Sequence, residues 1–170
     1  KFTGDFEGGW ESPYNTIGGD DLYIQFHKPE IDDLNEPQIE YIHNHITEFE
    51  DAIAGEDFAD STLGYHPYID VRSFVDLYLI NELSKNIYGY RLSTYFYKEK
   101  DSDGGKIVMG PWWDYNLSLG NADYCDGSVT SGFEVNTECG NANPFWFERL
   151  LEDENYSNLT RCVWEDYRAN

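Results

Sequence analysis

Apolar positions along this chain fall into two helical stripes set between short stretches of strand-like alternation. Over 35–55, Ile39, Ile42, Ile46, Phe49 and Ile53 recur at steps of three and four, the spacing of one helix face. Asn35 is a good N-cap ahead of them, Pro37 suits the first turn, and Gly55 is a natural stop. The second stripe runs through Val71, Phe74, Val75, Tyr78, Leu79, Glu82 and Leu83, widened by Leu77 and Ile80. With Asp70 as its cap it predicts a helix over 70–85, buried on much of its circumference.

Strand formers cluster at Leu22–His27, Leu92–Lys98 and Lys106–Met109. Asp101-Ser-Asp-Gly-Gly105 supplies a turn between the last two, so 92–110 reads as a β-hairpin. Residues 1–20 carry strand-like fragments and no helical period. The stretch 55–67 reads as a loop, and 121–143, poor in apolar residues, as a long one. Two further helices are expected over Phe145–Glu152 and Tyr156–Tyr167. The sum is an α+β domain, mainly helical, with a small hairpin.

Composition narrows the function classes. Aromatics make up 17% of the 170 residues, a load that a disordered acidic tail does not carry. The formal charge of −22, from 33 acidic against 11 basic residues, repels nucleic-acid phosphates and anionic membranes, so no nucleic-acid partner is expected. It also opposes ATP unless divalent cations or local Lys and Arg screen it. No run of about 18 apolar residues exists, so no membrane span is expected. Cys125, Cys139 and Cys162 form no CxxC pair, which argues against zinc. Cys125 and Cys139 flank a Gly/Ser/Thr/Asn-rich loop, a spacing open to a disulfide in an extracellular setting. Asp101-x-Asp103-Gly104 is similar to the start of a calcium loop, but Trp112 stands where the twelfth-position Glu belongs, and a hairpin turn is the better reading.

Candidate chemistry gathers between 85 and 116. Asp114 follows Gly110-Pro-Trp-Trp113, whose bulky rings are expected to hold a short acidic segment in place. A carboxylate there suits magnesium, which takes one or two carboxylates plus phosphate oxygens and waters, and Asn116 and Ser93 are candidate further oxygen donors. The alternative is that Asp114 caps a turn through nearby backbone amides. Lys85 and Arg91 are candidate phosphate contacts on either side of the turn Asn86–Arg91. The alternative there is a helix end, with Lys85 complementing the macrodipole and Gly89 closing the turn.

Five linked segments carry a resemblance. They are Tyr68-Ile-Asp-Val, Leu79-Ile-Asn-Glu-Leu-Ser-Lys-Asn, Gly89-Tyr-Arg-Leu-Ser-Thr-Tyr-Phe-Tyr-Lys, Gly110-Pro-Trp-Trp-Asp-Tyr-Asn-Leu and Asn143-Pro-Phe-Trp-Phe-Glu-Arg-Leu-Leu. In this order, over Leu22 to Arg168, they resemble the CotH-type spore-coat kinase family, in particular its secreted branch in Bacteroidetes-like bacteria. The succession of helix, polar turn, hairpin and Asp is also that of protein kinases. The resemblance implies an atypical protein-kinase-like fold and phosphorylation of protein Ser residues with ATP and Mg2+. It makes Asp114 the magnesium-binding Asp and the segment before Gly89 the catalytic loop. It also implies an extracellular or cell-surface location.

Two departures qualify that expectation. Tyr88 stands where such kinases carry the catalytic-loop Asp, and a phenol of ordinary pKa near 10 does not replace a carboxylate that orients a hydroxyl. Residues 1–30 hold no Gly-rich phosphate loop followed by a Lys. The chain is therefore expected to be a C-terminal lobe, its N-terminal lobe a separate chain, a cleaved part or a stretch of a longer parent. The other expectation is a catalytically impaired, kinase-like binding module in surface or envelope assembly.

Overall fold

The computed structural model describes residues 1–3, 7–136 and 143–169. The chain is α+β, with two small antiparallel sheets and four helices among the described residues. Strands β1 (Phe2–Thr3), β2 (Gly9–Asn15) and β3 (Asp21–Gln25) form one sheet in the order β1-β3-β2, with both Phe2 and Trp10 opposite Ile24. Helices α1 (Glu36–Ala54) and α2 (Val71–Ser84) follow. The hairpin β4 (Phe96–Lys98) and β5 (Ile107–Met109) comes next, and α3 (Trp146–Leu151) and α4 (Glu154–Ala169) close the order.

Local chemistry explains the two long helices. Asn35 accepts from the Gln38 amide at 3.1 Å while the Gln38 side chain accepts from the Asn35 amide at 3.0 Å, a complete capping box with Pro37 inside it. Asp70 caps α2 by accepting from the Ser73 amide at 2.9 Å. The hairpin is fastened to the same place. Ile107 pairs with Ile69, the Asp70 amide donates to the Ile107 carbonyl at 2.8 Å, and the Met109 amide donates to Ser73 Oγ at 3.0 Å.

An aromatic core joins the layers. Trp146 meets Phe2 and Phe49 at ring-centroid distances of 4.8 and 4.9 Å, and Tyr90 meets Phe147 at 4.9 Å. Within it lies Glu50 of α1, 0% exposed, accepting from Ser12 Oγ at 2.8 Å and Trp146 Nε1 at 3.0 Å. Burial pushes its carboxyl up to about 7, against the pull of those two donors, and the neighbouring Asp51 adds to the rise.

Three expectations need correction. The strand expected from Leu92 begins only at Phe96, because the Ser93 amide donates to the Tyr88 carbonyl and Thr94 Oγ1 to the Gly89 carbonyl, folding 92–94 back onto the preceding turn. On α2, Leu83 is 61% exposed while Asn81 is wholly buried and Ser84 is buried too, so polar residues share the core stripe. The loop 121–143 contains a 3-10 turn at Glu134–Asn136, with Glu134 and Val135 buried. Cys125 is disulfide-bonded and Cys162 is a free, exposed thiol; Cys139 lies outside the described residues. No helix among the described residues is long and apolar enough to cross a membrane.

Candidate functional site

The end of α2 sets the first half of the site. Lys85 adopts the left-handed conformation with φ 52°, and its amide donates back to Asn81 and Glu82, closing the helix as a C-terminal glycine does elsewhere. The chain then turns through Asn86–Arg91. Arg91 lies over the Tyr88 ring, 4.6 Å from its centroid, and burial pulls its guanidinium below its ordinary value. The Tyr124 hydroxyl donates to the Tyr88 hydroxyl at 3.1 Å. Tyr88 is thus held from two sides, and its position carries a phenol rather than a carboxylate. Ser93 sits on the same turn through the bond from its amide to the Tyr88 carbonyl, 3.2 Å long.

Lys85 faces another way. Its ammonium pairs with the buried Glu134 at 2.8 Å. One turn earlier, Glu82 accepts from the amides of Glu134 and Val135 at 2.7 and 2.9 Å and from the Tyr90 hydroxyl at 2.7 Å. Together these bonds pin the end of the long loop against α2. A phosphate approaching Lys85 has to displace Glu134.

Asp114 forms the second half. Its backbone sits at φ 59°, a region that L-residues seldom adopt and that Asp tolerates better than most. Its carboxylate is exposed and makes no hydrogen bond or ion pair to any described residue, so it caps no turn. Trp112 and Trp113 are 55% and 59% exposed, with Trp113 edge-on to Tyr95 at 6.4 Å, so burial of these rings is not what fixes the segment. The anchor comes after the acid. The Tyr115 hydroxyl donates to Asn81 Oδ1 at 2.8 Å, and the Leu119 amide donates to the Ser84 carbonyl at 2.6 Å. Asn116 is exposed, and its carbonyl accepts from Asn121 Nδ2 at 2.6 Å.

A cleft of about 1010 Å³ opens beside this segment, walled by the ring of Trp113 and by Gly110 and Pro111. The residues after β3, the N-terminal half of α1 and the hairpin complete it. Aromatic and aliphatic groups line most of it. Its charged lining is Lys1, Lys28, Lys98 and Lys100, joined by His27, and no Asp or Glu lines it although the chain holds 33 of them. Lys28 pairs with Glu30 and Lys98 with Asp101 at the edge. The Lys98 ammonium also lies 4.8 Å from the centre of the Tyr41 ring, which ties the hairpin to α1.

No group of three or more His, Cys, Asp or Glu able to cage an ion exists among the described residues. A lone unpartnered carboxylate with Asn116 close in sequence suits a magnesium ion that brings phosphate oxygens as its other ligands.

Of the residues expected from the sequence, Tyr88, Arg91 and Ser93 share one turn and Asp114 and Asn116 share one segment, while Lys85 points to the long loop. The reading of the sequence missed Asn81, Tyr115 and the lysines of the cleft. Asn81 left a signal, because it lies seven residues after Phe74 and three after Tyr78, on the face those rings bury. The cleft left none, since Lys28 and Lys98 are 70 positions apart. Residues 13–170 match the family model described as CotH kinase protein. No curated protein and no solved structure matches the chain.

Proposed function

The chain belongs to the CotH kinase protein family, and on that premise we propose that it binds magnesium–ATP beside Asp114 and forms part of an enzyme that phosphorylates Ser residues of a protein. The observation that carries this reading is the cleft. In a chain of charge −22, one apolar space free of carboxylates and edged by lysines ends at the residue before an unpartnered Asp. Flat aromatic walls suit a nucleotide base, lysines suit phosphates, and Asp114 suits the metal between them.

The reading assigns the chain's groups as follows. Asp114 holds the metal, with Asn116 and Ser93 as further oxygen donors. Magnesium, when bound, neutralises the β- and γ-phosphate charge. Arg91, held on the Tyr88 ring, is the guanidinium of the catalytic turn and in this reading serves the transferred phosphoryl group. In the reaction the Ser Oγ bonds to the γ-phosphorus, the bond to the β–γ bridging oxygen breaks, ADP leaves, and the hydroxyl proton passes to solvent. In this reading the domain is the C-terminal lobe of an atypical kinase fold, acting at the cell surface or outside the cell.

A second reading, a kinase-like binding module of impaired activity in surface or envelope assembly, is favoured by Tyr88. Its phenol is held by Tyr124 and Arg91 at the position where a kinase of this pattern places a carboxylate.

Calorimetry with magnesium–ATP tests the first reading on this chain and on any longer parent. Asp114→Asn is expected to weaken binding by a factor of about 10 or more without unfolding the domain. Wild-type protein without affinity overturns the nucleotide site. Tyr88→Asp separates the two readings: a large gain in autophosphorylation identifies the phenol as the defect, and no gain with an active wild type removes it from the argument.

A further inference from the structure

Asn81 is wholly buried, and both ends of its amide are used. Nδ2 donates to the Gly89 carbonyl at 2.7 Å, and Oδ1 accepts from the Tyr115 hydroxyl at 2.8 Å. The first partner directly follows Tyr88 and the second directly follows Asp114. One side chain therefore joins the two segments that carry the candidate chemistry. The Gly89 carbonyl accepts a second bond, from Thr94 Oγ1 at 2.8 Å.

The arrangement has one orientation. Turning the amide over would set its oxygen against the Gly89 carbonyl and lose that bond. There is also no slack around it, since a Cβ on Gly89 would lie 2.4 Å from Asn81 Oδ1. Asp114 itself is tied to nothing by its side chain and sits at φ 59°. Its place is set by its neighbours, and Tyr115 is the adjacent residue with a buried bond.

We propose that Asn81 is a positioning residue: through the Tyr115 hydroxyl it fixes the Asp114 carboxylate relative to the Tyr88–Arg91 turn, and the grip on magnesium-bound nucleotide depends on that single hydrogen bond. The inference rests on the magnesium–nucleotide reading above. The Leu119–Ser84 bond holds the far end of the same segment and leaves Asp114 free to shift when Tyr115 lets go.

Tyr115→Phe deletes one oxygen and keeps the ring. Melting temperature falls whatever the role of the bond, because Asn81 Oδ1 loses its donor. The deciding readout is the ratio of affinities for magnesium–ATP and metal-free ATP, which general destabilisation does not move. That ratio is expected to fall by a factor of about 10 or more, with no further fall when Tyr115→Phe is added to Asp114→Asn. An unchanged ratio, or an additional loss in the Asp114→Asn background, overturns the proposal. Amide exchange without nucleotide gives a second readout. Exchange at Ser118, whose amide donates to the Tyr115 carbonyl at 3.2 Å, should quicken by a factor of about 10 relative to α1 in Tyr115→Phe. Unchanged relative exchange overturns the positioning. Wild-type protein without affinity for ATP overturns the nucleotide reading, and exchange then decides the Asn81 link alone.

Discussion

Two helices each bury one polar side chain completely in the same aromatic core, and the two differ in kind. Glu50 on α1 is ionisable and binds Ser12 of β2 and Trp146 of α3. Asn81 on α2 is neutral and binds Gly89 and Tyr115. The first joins three residues that line no part of the cleft. The second joins segments that carry the candidate chemistry. A buried carboxyl without a cation makes stability depend on pH, whereas a buried amide fixes a geometry that pH does not touch. The titratable group lies where it affects the scaffold, and the neutral one lies where shape matters.

The largest expected effect breaks the scaffold side. Glu50→Ala leaves the Ser12 hydroxyl and the Trp146 indole N–H without an acceptor and opens a cavity, so a loss of about 4 kcal/mol is expected in urea unfolding at pH 5. A loss under about 1 kcal/mol would mean that the core closes over the gap. The pH dependence comes next. The folded value of Glu50, about 7, lies above its ordinary 4.5, so folding favours the protonated acid. Its contribution is whole below pH 4.5 and is lost as pH rises to 7, a fall of about 3 kcal/mol. Unfolding of wild type and Glu50→Gln across that window should show the difference between them shrinking by this amount; parallel curves would refute it.

On the site side the effects are smaller. Gly89→Ala drives a Cβ into Asn81 and is expected to lower stability by about 2 kcal/mol, with most of that relieved when Asn81→Ser makes room. Additive losses would show that the crowding lies elsewhere. The smallest effect has the opposite sign. Asp114→Gly removes a side chain from a backbone at φ 59° and should raise stability by about 1 kcal/mol while abolishing magnesium–nucleotide binding. A destabilised variant would show that the acid supports the fold.

The two helices were legible for the same reason that the hub between them was not. Caps and stripes are local, and Asn35, Pro37 and Asp70 announce α1 and α2 within a few residues of where they act. The hairpin was legible from strand formers around a Gly-rich turn, but its start was not, because Ser93 and Thr94 turn back to Tyr88 and Gly89. Asn81 was not singled out in the sequence, because its meaning depends on Tyr115, 34 positions away. Asp114 stood out through the resemblance of its motif, since periodicity says nothing about a single exposed acid. The cleft needed β3, α1 and the hairpin brought together before its freedom from carboxylates was visible.

That freedom has a kinetic consequence. Magnesium–ATP is an anion, and at long range it meets the field of 22 excess negative charges; the lysines act only near the mouth of the cleft. Salt screens the distant repulsion first, because the Debye length is about 8 Å at physiological ionic strength. On the proposed reading, nucleotide capture by this chain should therefore accelerate as salt is added, the reverse of the usual behaviour of a phosphate-binding protein, and an acid-rich exterior becomes a gate that opens with the salinity of the surroundings.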